Sequence, residues 1–175
     1  IDIKSWEEVE NVRTNARSKK AEGIMLKSKE SEYKTGRKKG DWWKYKLEPL
    51  TIDAVLLYAA RGRGRRSNLY TDYTFGVWDN ETLVTITKAY SGLTDKELQN
   101  MNSWILKITT DTFGPVRAVK LEKVFEVAFE GIAASTRHKS GIALRFPRIL
   151  RIRDDKKAAD ADTLSNVQKL LDIYG

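Results

Sequence analysis

A chain of 175 residues, 41% hydrophobic and 32% charged, can bury a real core, is no disordered tail, and has length for one or two domains. Lysine and arginine number 32 against 24 acidic residues, and the resulting charge of +8 favours a polyanionic partner, either nucleic acid or an anionic membrane surface. No apolar run approaches the roughly 18–20 residues of a spanning helix and no leader-like segment opens the chain, which disfavours membrane and export; zero cysteines exclude disulfides and thiolate metal sites, and a single histidine, His138, argues against a histidine-built metal centre.

Ser5-Trp6-Glu7-Glu8 reads as a helix start, with Ser5 as cap and Glu8 returning the bond in a capping box. The helix is predicted to run to about Ser18, because Trp6, Val9, Val12 and Ala16 recur at spacings of three and four. Glu22 to Lys29 and Trp42 to Leu47 read as short strands around the turn-rich Lys34-Thr35-Gly36-Arg37-Lys38-Lys39-Gly40. One helix and two strands make a poor domain, so this part is expected to have an incomplete core. Glu48-Pro49-Leu50 marks a boundary, since proline breaks strand pairing, and the predicted division is 1–48 and 49–175.

Beyond it, Ile52 to Ala60, Thr74 to Trp78, Leu83 to Ala89 and Val116 to Ala134 are rich in β-branched and aromatic residues and read as strands, the last as two joined near Lys120. Gly62-Arg63-Gly64-Arg65-Arg66 is a basic loop and Asp79-Asn80 a hairpin turn. Thr94-Asp95-Lys96-Glu97 is a second capping box, opening a helix with Leu98, Met101 and Ile105 on one stripe. A terminal helix capped by Asp162 or Thr163 carries Leu164, Val167, Leu171 and Tyr174 on its apolar side. The fold class is therefore mainly β (α+β): a five-stranded Greek-key barrel of the oligonucleotide-binding (OB) type, with a helix between strands 3 and 4 and a C-terminal helix.

The run from Arg145 to Lys156 holds four arginines and a lysine alternating with apolar residues. As a strand beginning after Pro147, it places Arg145, Arg151 and Arg153 on one parity and Arg148 on the other, a partial cluster of phosphate-matching guanidinium forks. The same run also fits a solvated basic edge strand. Lys44 and Lys46, at strand spacing, face one side, and two such charges call for an anion such as phosphate or carboxylate between them. Trp42, Trp43, Trp78 and Trp104 are expected in a core or domain interface, and His138 in local hydrogen bonding or a phosphate contact.

Glu22-Gly23 with Lys27, Trp42-x-Lys44-x-Lys46, and Arg145-Phe146-Pro147-Arg148 continuing to Arg153-x-Asp155-Lys156 stand in the order and spacing of nucleotidyltransferase motifs IV, V and VI. In these, and in Phe129-Glu130-Gly131-Ile132 and Arg137-His138-Lys139-Ser140-Gly141, the chain resembles the C-terminal part of a bacterial-type ATP-dependent DNA ligase. The resemblance implies the end of an adenylation domain followed by a whole OB domain. The Lys-x-Asp-Gly tetrapeptide that carries the ligase nucleophile does not occur, so the chain by itself is expected not to ligate.

Carried over residue by residue, the resemblance implies ATP as cofactor with Mg2+ or Mn2+, the metal served by Glu22. Nucleotide contacts fall to Glu22, Lys27, Lys44, Lys46, Arg148 and Lys156, with Lys44 and Lys46 on the α-phosphate. Arg148, Arg153, Asp155 and Lys156 would cover the β- and γ-phosphates during enzyme adenylation. The OB domain would then turn about Lys46 to Leu50 and clamp nicked double-stranded DNA, with Arg61, Arg63, Arg65, Arg66 and Lys38 on its backbone. The implied protein is a cytoplasmic, nucleoid-associated monomer that seals nicks in repair, replication and recombination. A stand-alone OB module without chemistry, an RNA ligase and a capping enzyme are the alternatives.

Overall fold

The first helix, α1 (Trp6–Thr14), starts where Ser5 Oγ accepts the Glu8 amide at 3.2 Å in the computed structural model, which describes residues 1–175. The reciprocal bond goes elsewhere than expected: Glu8 Oε2 accepts from the Lys4 amide at 2.9 Å, not from Ser5. The helix also stops sooner than Ser18, and Arg17–Lys19 form a single 3-10 turn that closes on Lys20 at φ 55. Strands β1 (Gly23–Lys27) and β2 (Trp42–Lys46) pair antiparallel, with Gly23 opposite Lys46 and Lys27 opposite Trp42. Their connection is fastened by a Lys34–Asp41 ion pair at 2.8 Å, by Trp42 Nε1 donating to Ser31 Oγ, and by Tyr33 edge-on to Trp42.

Contacts divide the chain into two units, Ile1–Glu48 and Pro49–Ile173. In the first, only Val9 and Ala16 are buried, while Trp6 is 76% exposed, which is the thin core that one helix and two strands can make.

In the second unit, β3 (Leu50–Arg61), β4 (Tyr70–Asp79), β5 (Thr82–Ala89), β8 (Val124–Phe129) and β11 (Arg148–Ile152) form an antiparallel sheet in the order β11-β8-β3-β4-β5. It is a curled five-strand half-barrel consistent with the OB fold. The long strand β3 is buried along nearly all its length, and one of its edges serves two partners: β8 along Leu50 to Val55 and β7 (Val116–Val119) along Tyr58 to Ala60. A strand can change partners only by bending, and the register against β4 shifts between Leu56 and Tyr58, where a bulge supplies the bend. Across the open side, the Ile149 amide donates to Ser91 O at 2.9 Å, bringing β11 against the residues that follow β5. Phe75 and Phe125, 5.3 Å apart, centre a core that includes Leu56, Met101, Ile105, Ile142 and Ile149.

The helix α2 (Asp95–Ile108) begins with the predicted capping box, and the Thr94 amide and hydroxyl, both donating to Glu97 Oε2, hold that carboxyl below its usual range. It runs directly into β6 (Thr109–Phe113), a strand the sequence reading missed because its side chains face solvent and it pairs with β7 alone. Val116 to Ala134 holds three strands instead of the expected two, because the chain turns at Glu130 before β9 (Gly131–Ala134) pairs with β10 (Ile142–Arg145) in a separate ribbon. The last helix, α3 (Leu164–Tyr174), is capped by Thr163, and Val167 is its buried residue. No helix is long and apolar enough to cross a membrane.

Candidate functional site

Gly23 determines how β1 and β2 approach. At φ +144 its missing side chain would lie 2.4 Å from Tyr45 O, so any Cβ would push the strands apart. The strand that this glycine admits brings Glu22 and Lys46 together, Nζ to Oε2 at 2.9 Å. Cross-strand partners share a face, so Gly23, Met25, Lys27, Trp42, Lys44 and Lys46 lie on one side of the ribbon. Lys27 Nζ sits 4.1 Å from the Trp42 ring centroid. The counter-charge expected between the two lysines is therefore partly internal: Glu22 answers Lys46, and Lys44 has no ion pair. On the opposite side Tyr45 donates to Glu10 at 2.7 Å and Arg13 lies over the Tyr45 ring, packing β2 on α1. The Arg13 and Tyr45 hydrogen bonds hold the Glu10 carboxyl at about 2.

The arginine run differs from the parity count. Arg148 is opposite Ala128 and Ile149 opposite Val127, but Arg151 is opposite Glu126, so Leu150 is an extra residue in a β-bulge. The inserted residue switches the sides. Ile149 faces the core, while Arg148 and Arg151 come to one face, the reverse of the expected separation.

Each of these cations meets a carboxylate. Arg148 pairs with Glu130 at 2.7 Å and Arg151 with Glu126 at 2.6 Å. Arg153 donates through Nε and Nη2 to both Asp155 oxygens, at 2.9 and 2.7 Å, and through Nη1 to both oxygens of Asp53, at 3.0 and 2.9 Å. Lys156 Nζ reaches Asp53 Oδ2 at 2.6 Å. The hydrogen bonds from Arg153 push the Asp155 carboxyl well below the usual range, and Asp155, with Asp53, raises Arg153 further above its own. Sequence reading missed Asp53 and Glu126, and named Glu130 only within its segment, without its pairing to Arg148. The local signals were an aspartate between Ile52 and Ala54 in a largely apolar strand, and the place of Glu130 in Phe129-Glu130-Gly131-Ile132.

The structure gathers Arg153 and Lys156 on one carboxylate, Asp53, with Asp155 bonded to the Arg153 guanidinium, while Arg148 stands at the opposite end of β11 on Glu130. A cavity of about 240 Å³ beside them is lined by Trp104, Glu122, Lys123, Arg153, Asp154 and Lys156. Among the loop cations, Arg66 is tied to Asp95 at 2.8 Å and Arg61 lies over the Tyr70 ring, whereas Arg63, Arg65 and Lys38 carry no ion pair. Trp42 and Trp43 are 37% and 52% exposed, so the core reading fails for them; Trp78 and Trp104 are half-buried, and the Trp78 indole donates to Ala158 O. His138 is exposed at the tip of the β9–β10 ribbon, where its carbonyl accepts from Gly141.

Residues 66–156 match the family described as ATP dependent DNA ligase C terminal region, and residues 1–46 match that described as ATP dependent DNA ligase domain. A probable DNA ligase of Koribacter versatilis (strain Ellin345) is 44% identical over 166 residues, covering 95% of this chain and 29% of that protein. The chain thus spans less than a third of this relative's length. In fold, it is similar to the ligase domain of M. tuberculosis LigD (TM-score 0.57, 22% identity, 87% of this chain and 50% of that one). A mycobacterial DNA ligase D complexed with ATP and MES gives a TM-score of 0.53 at 21% identity, over 88% of this chain and 50% of that one. Two family matches in succession along one chain, on a half-barrel of the OB type, show that this chain belongs to the ATP-dependent DNA ligases and carries their C-terminal region.

Proposed function

We propose that the chain serves in a ligase that seals nicks in duplex DNA through an enzyme-adenylate and then a DNA-adenylate. The observation that carries this reading is the shared face of β2, where Lys44 and Lys46 stand side by side with Glu22 against Lys46. Nucleotidyl transfer is accelerated by positioning and by neutralising the charge that gathers on the transferred phosphorus centre. Lys44, with no internal counter-ion, and Lys46, with one, contact the α-phosphate while a lysine outside this chain forms the new N–P bond and pyrophosphate leaves. Lys27 closes the same face beside Trp42.

No group of three or more acidic or histidine side chains exists to hold a metal unaided. A divalent ion that keeps waters and takes one carboxylate plus phosphate oxygens suits the single Glu22, whose carboxylate lies on the lysine face. Mg2+ or Mn2+ bound there would neutralise phosphate charge. In the OB unit, Arg148 and Lys156 keep N–H donors beyond those their carboxylates occupy, and these meet the β- and γ-phosphates and orient the leaving pyrophosphate. Arg61, Arg63, Arg65, Arg66 and Lys38 hold the DNA backbone when the unit afterwards clamps the duplex.

The test joins the chain to the upstream segment that supplies the nucleophilic lysine. Incubated with ATP and Mg2+ or Mn2+, that protein should become covalently adenylated by intact-mass measurement, and Lys46→Ala and Arg148→Ala should depress the reaction by ~10-fold or more. A folded protein that never gains the adenylate would refute the reading.

A further inference from the structure

We propose that Asp53 is the positioning residue for the cations of the adenylation step, an inference that rests on the functional reading above. Asp53 lies on β3, 9% exposed, among Ile52, Ala54, Val55 and Leu56, where an apolar side chain would serve packing better. Directly across the strand pair stands Glu126, and like charges opposite one another destabilise a sheet. A carboxylate so placed is tolerated only where cations come to it, and replacing such buried ion pairs by apolar groups is often neutral or stabilising. Stability alone therefore does not account for an aspartate here.

What Asp53 does is fasten one segment at both ends. Its carboxylate holds the Arg153 guanidinium and the Lys156 ammonium. Its amide donates to Asp162 Oδ2 at 2.8 Å, and its carbonyl accepts from the Asp162 amide at 2.8 Å. Residues 153 to 162 are thereby closed on a single point of the most deeply buried strand. Arg153 is fixed in plane between Asp53 and Asp155, with side-chain exposure of 14%, and acts as a brace. Lys156 is 32% exposed and has spent one of its three donors, so two remain to meet phosphate oxygens from a fixed origin. Asp53 touches no nucleotide in this scheme; it acts through Lys156 and Arg153.

The consequence is specific to one step. Phosphates beyond the α position are present when the enzyme takes AMP from ATP and absent when a DNA-adenylate is sealed. Asp53→Asn keeps the volume and the main-chain bonds to Asp162 and removes the charge. In the joined protein it should raise the KM for ATP in self-adenylation by ~10- to ~100-fold, the usual scale for lost positioning, while nicked DNA carrying a preformed 5′-adenylate is sealed at the wild-type rate without ATP. Asp53→Glu, which retains the charge one methylene further out, should recover part of the ATP affinity. Unchanged self-adenylation in Asp53→Asn, or equal losses in both assays, would overturn the assignment. If Asp53→Asn does not fold, Asp53→Glu alone decides: a raised KM with normal sealing supports positioning, and any other pattern overturns it. Failure of the wild-type protein to adenylate at all would instead remove the functional reading, and this assignment with it.

Discussion

Gly92 is the residue on which the meeting of β11 with the end of β5 depends, and Gly92→Ala should damage the OB unit far more than an ordinary glycine replacement. Its φ is +113, and an added Cβ would sit 1.8 Å from Ile149 O and 2.7 Å from Ile149 C. Backbone held in a region that L side chains avoid costs about 1–3 kcal/mol. The clash cannot be relieved without moving β11, and the first bond to break is the Ile149 amide to Ser91 O, at a residue only 2% exposed. Stranding a buried donor costs about 1–3 kcal/mol. Together these give about 2–6 kcal/mol, a large part of the ~5–15 kcal/mol that holds a domain folded. Gly114→Ala is the control, because Gly114 has φ +57 with nothing within 4 Å of the added carbon, leaving only the left-handed cost of about 1–2 kcal/mol. Urea unfolding followed through the indole N–H signals of Trp78 and Trp104 reports on this unit alone. With a urea dependence of about 1–3 kcal/mol per molar, the Gly92→Ala midpoint should fall by ~2 M, and the Gly114→Ala midpoint by less than half of that. Equal midpoints for the two variants would refute the reasoning.

Two further outcomes follow from the charges. Glu10 has its carboxyl lowered from 4.5 to about 2, chiefly by Arg13 and then by the Tyr45 hydroxyl, so the α1–β2 contact is fully present above 4.5 and weakens as pH falls toward 2; a Glu10 carboxyl carbon titrating at 4.5 in an NMR series would contradict the contact. Replacing Arg63 and Arg65 together by alanine should make the salt dependence of nicked-duplex affinity shallower by about 1.8 in log–log slope, from ~0.9 for each phosphate no longer neutralised, and an unchanged slope would remove both from the DNA surface.

The parts of the fold legible in the sequence are those whose local pattern coincides with burial. Leu98, Met101 and Ile105 recur at helical spacing and are the buried residues of α2, and Thr94 with Glu97 supplies its start. Strand β6 was illegible because Thr109–Phe113 buries nothing and its pairing with β7 is its only reason to be extended. Leu150 shows a different limit: a bulge exists only relative to a partner strand, so counting along Arg145 to Arg153 cannot find it, and every side chain after it is assigned to the wrong face. Arg148, Arg153 and Lys156 could be grouped because they are close in sequence. Asp53 could not, since it is 100 residues from Arg153 and 103 from Lys156, and only the tertiary fold joins them.

These pairings relocate the basic character of the chain. Arg148, Arg151, Arg153 and Lys156 are four positive charges, and Glu130, Glu126, Asp53 and Asp155 are four negative ones, so this constellation contributes 4 − 4 = 0 to the net +8. The excess must lie elsewhere, and Arg63, Arg65 and Lys38 are exposed loop cations without ion pairs. The two sets obey different physics. Exposed charges attract a polyanion over distances of a Debye length, about 8 Å at physiological salt, and are screened accordingly. Arg148, Arg153 and Lys156, half-buried and held by carboxylates, are poor attractors but keep their geometry, which is what orienting a phosphate demands. Arg151, 62% exposed, joins them only through its ion pair with Glu126. A ligase needs both: a diffuse charge to hold any duplex sequence and a fixed charge for one nucleotide. Arg148, Arg153 and Lys156 of the arginine run fall by their packing in the second set, while residues 34–39 and 61–66 carry more positive charge per residue than the run does.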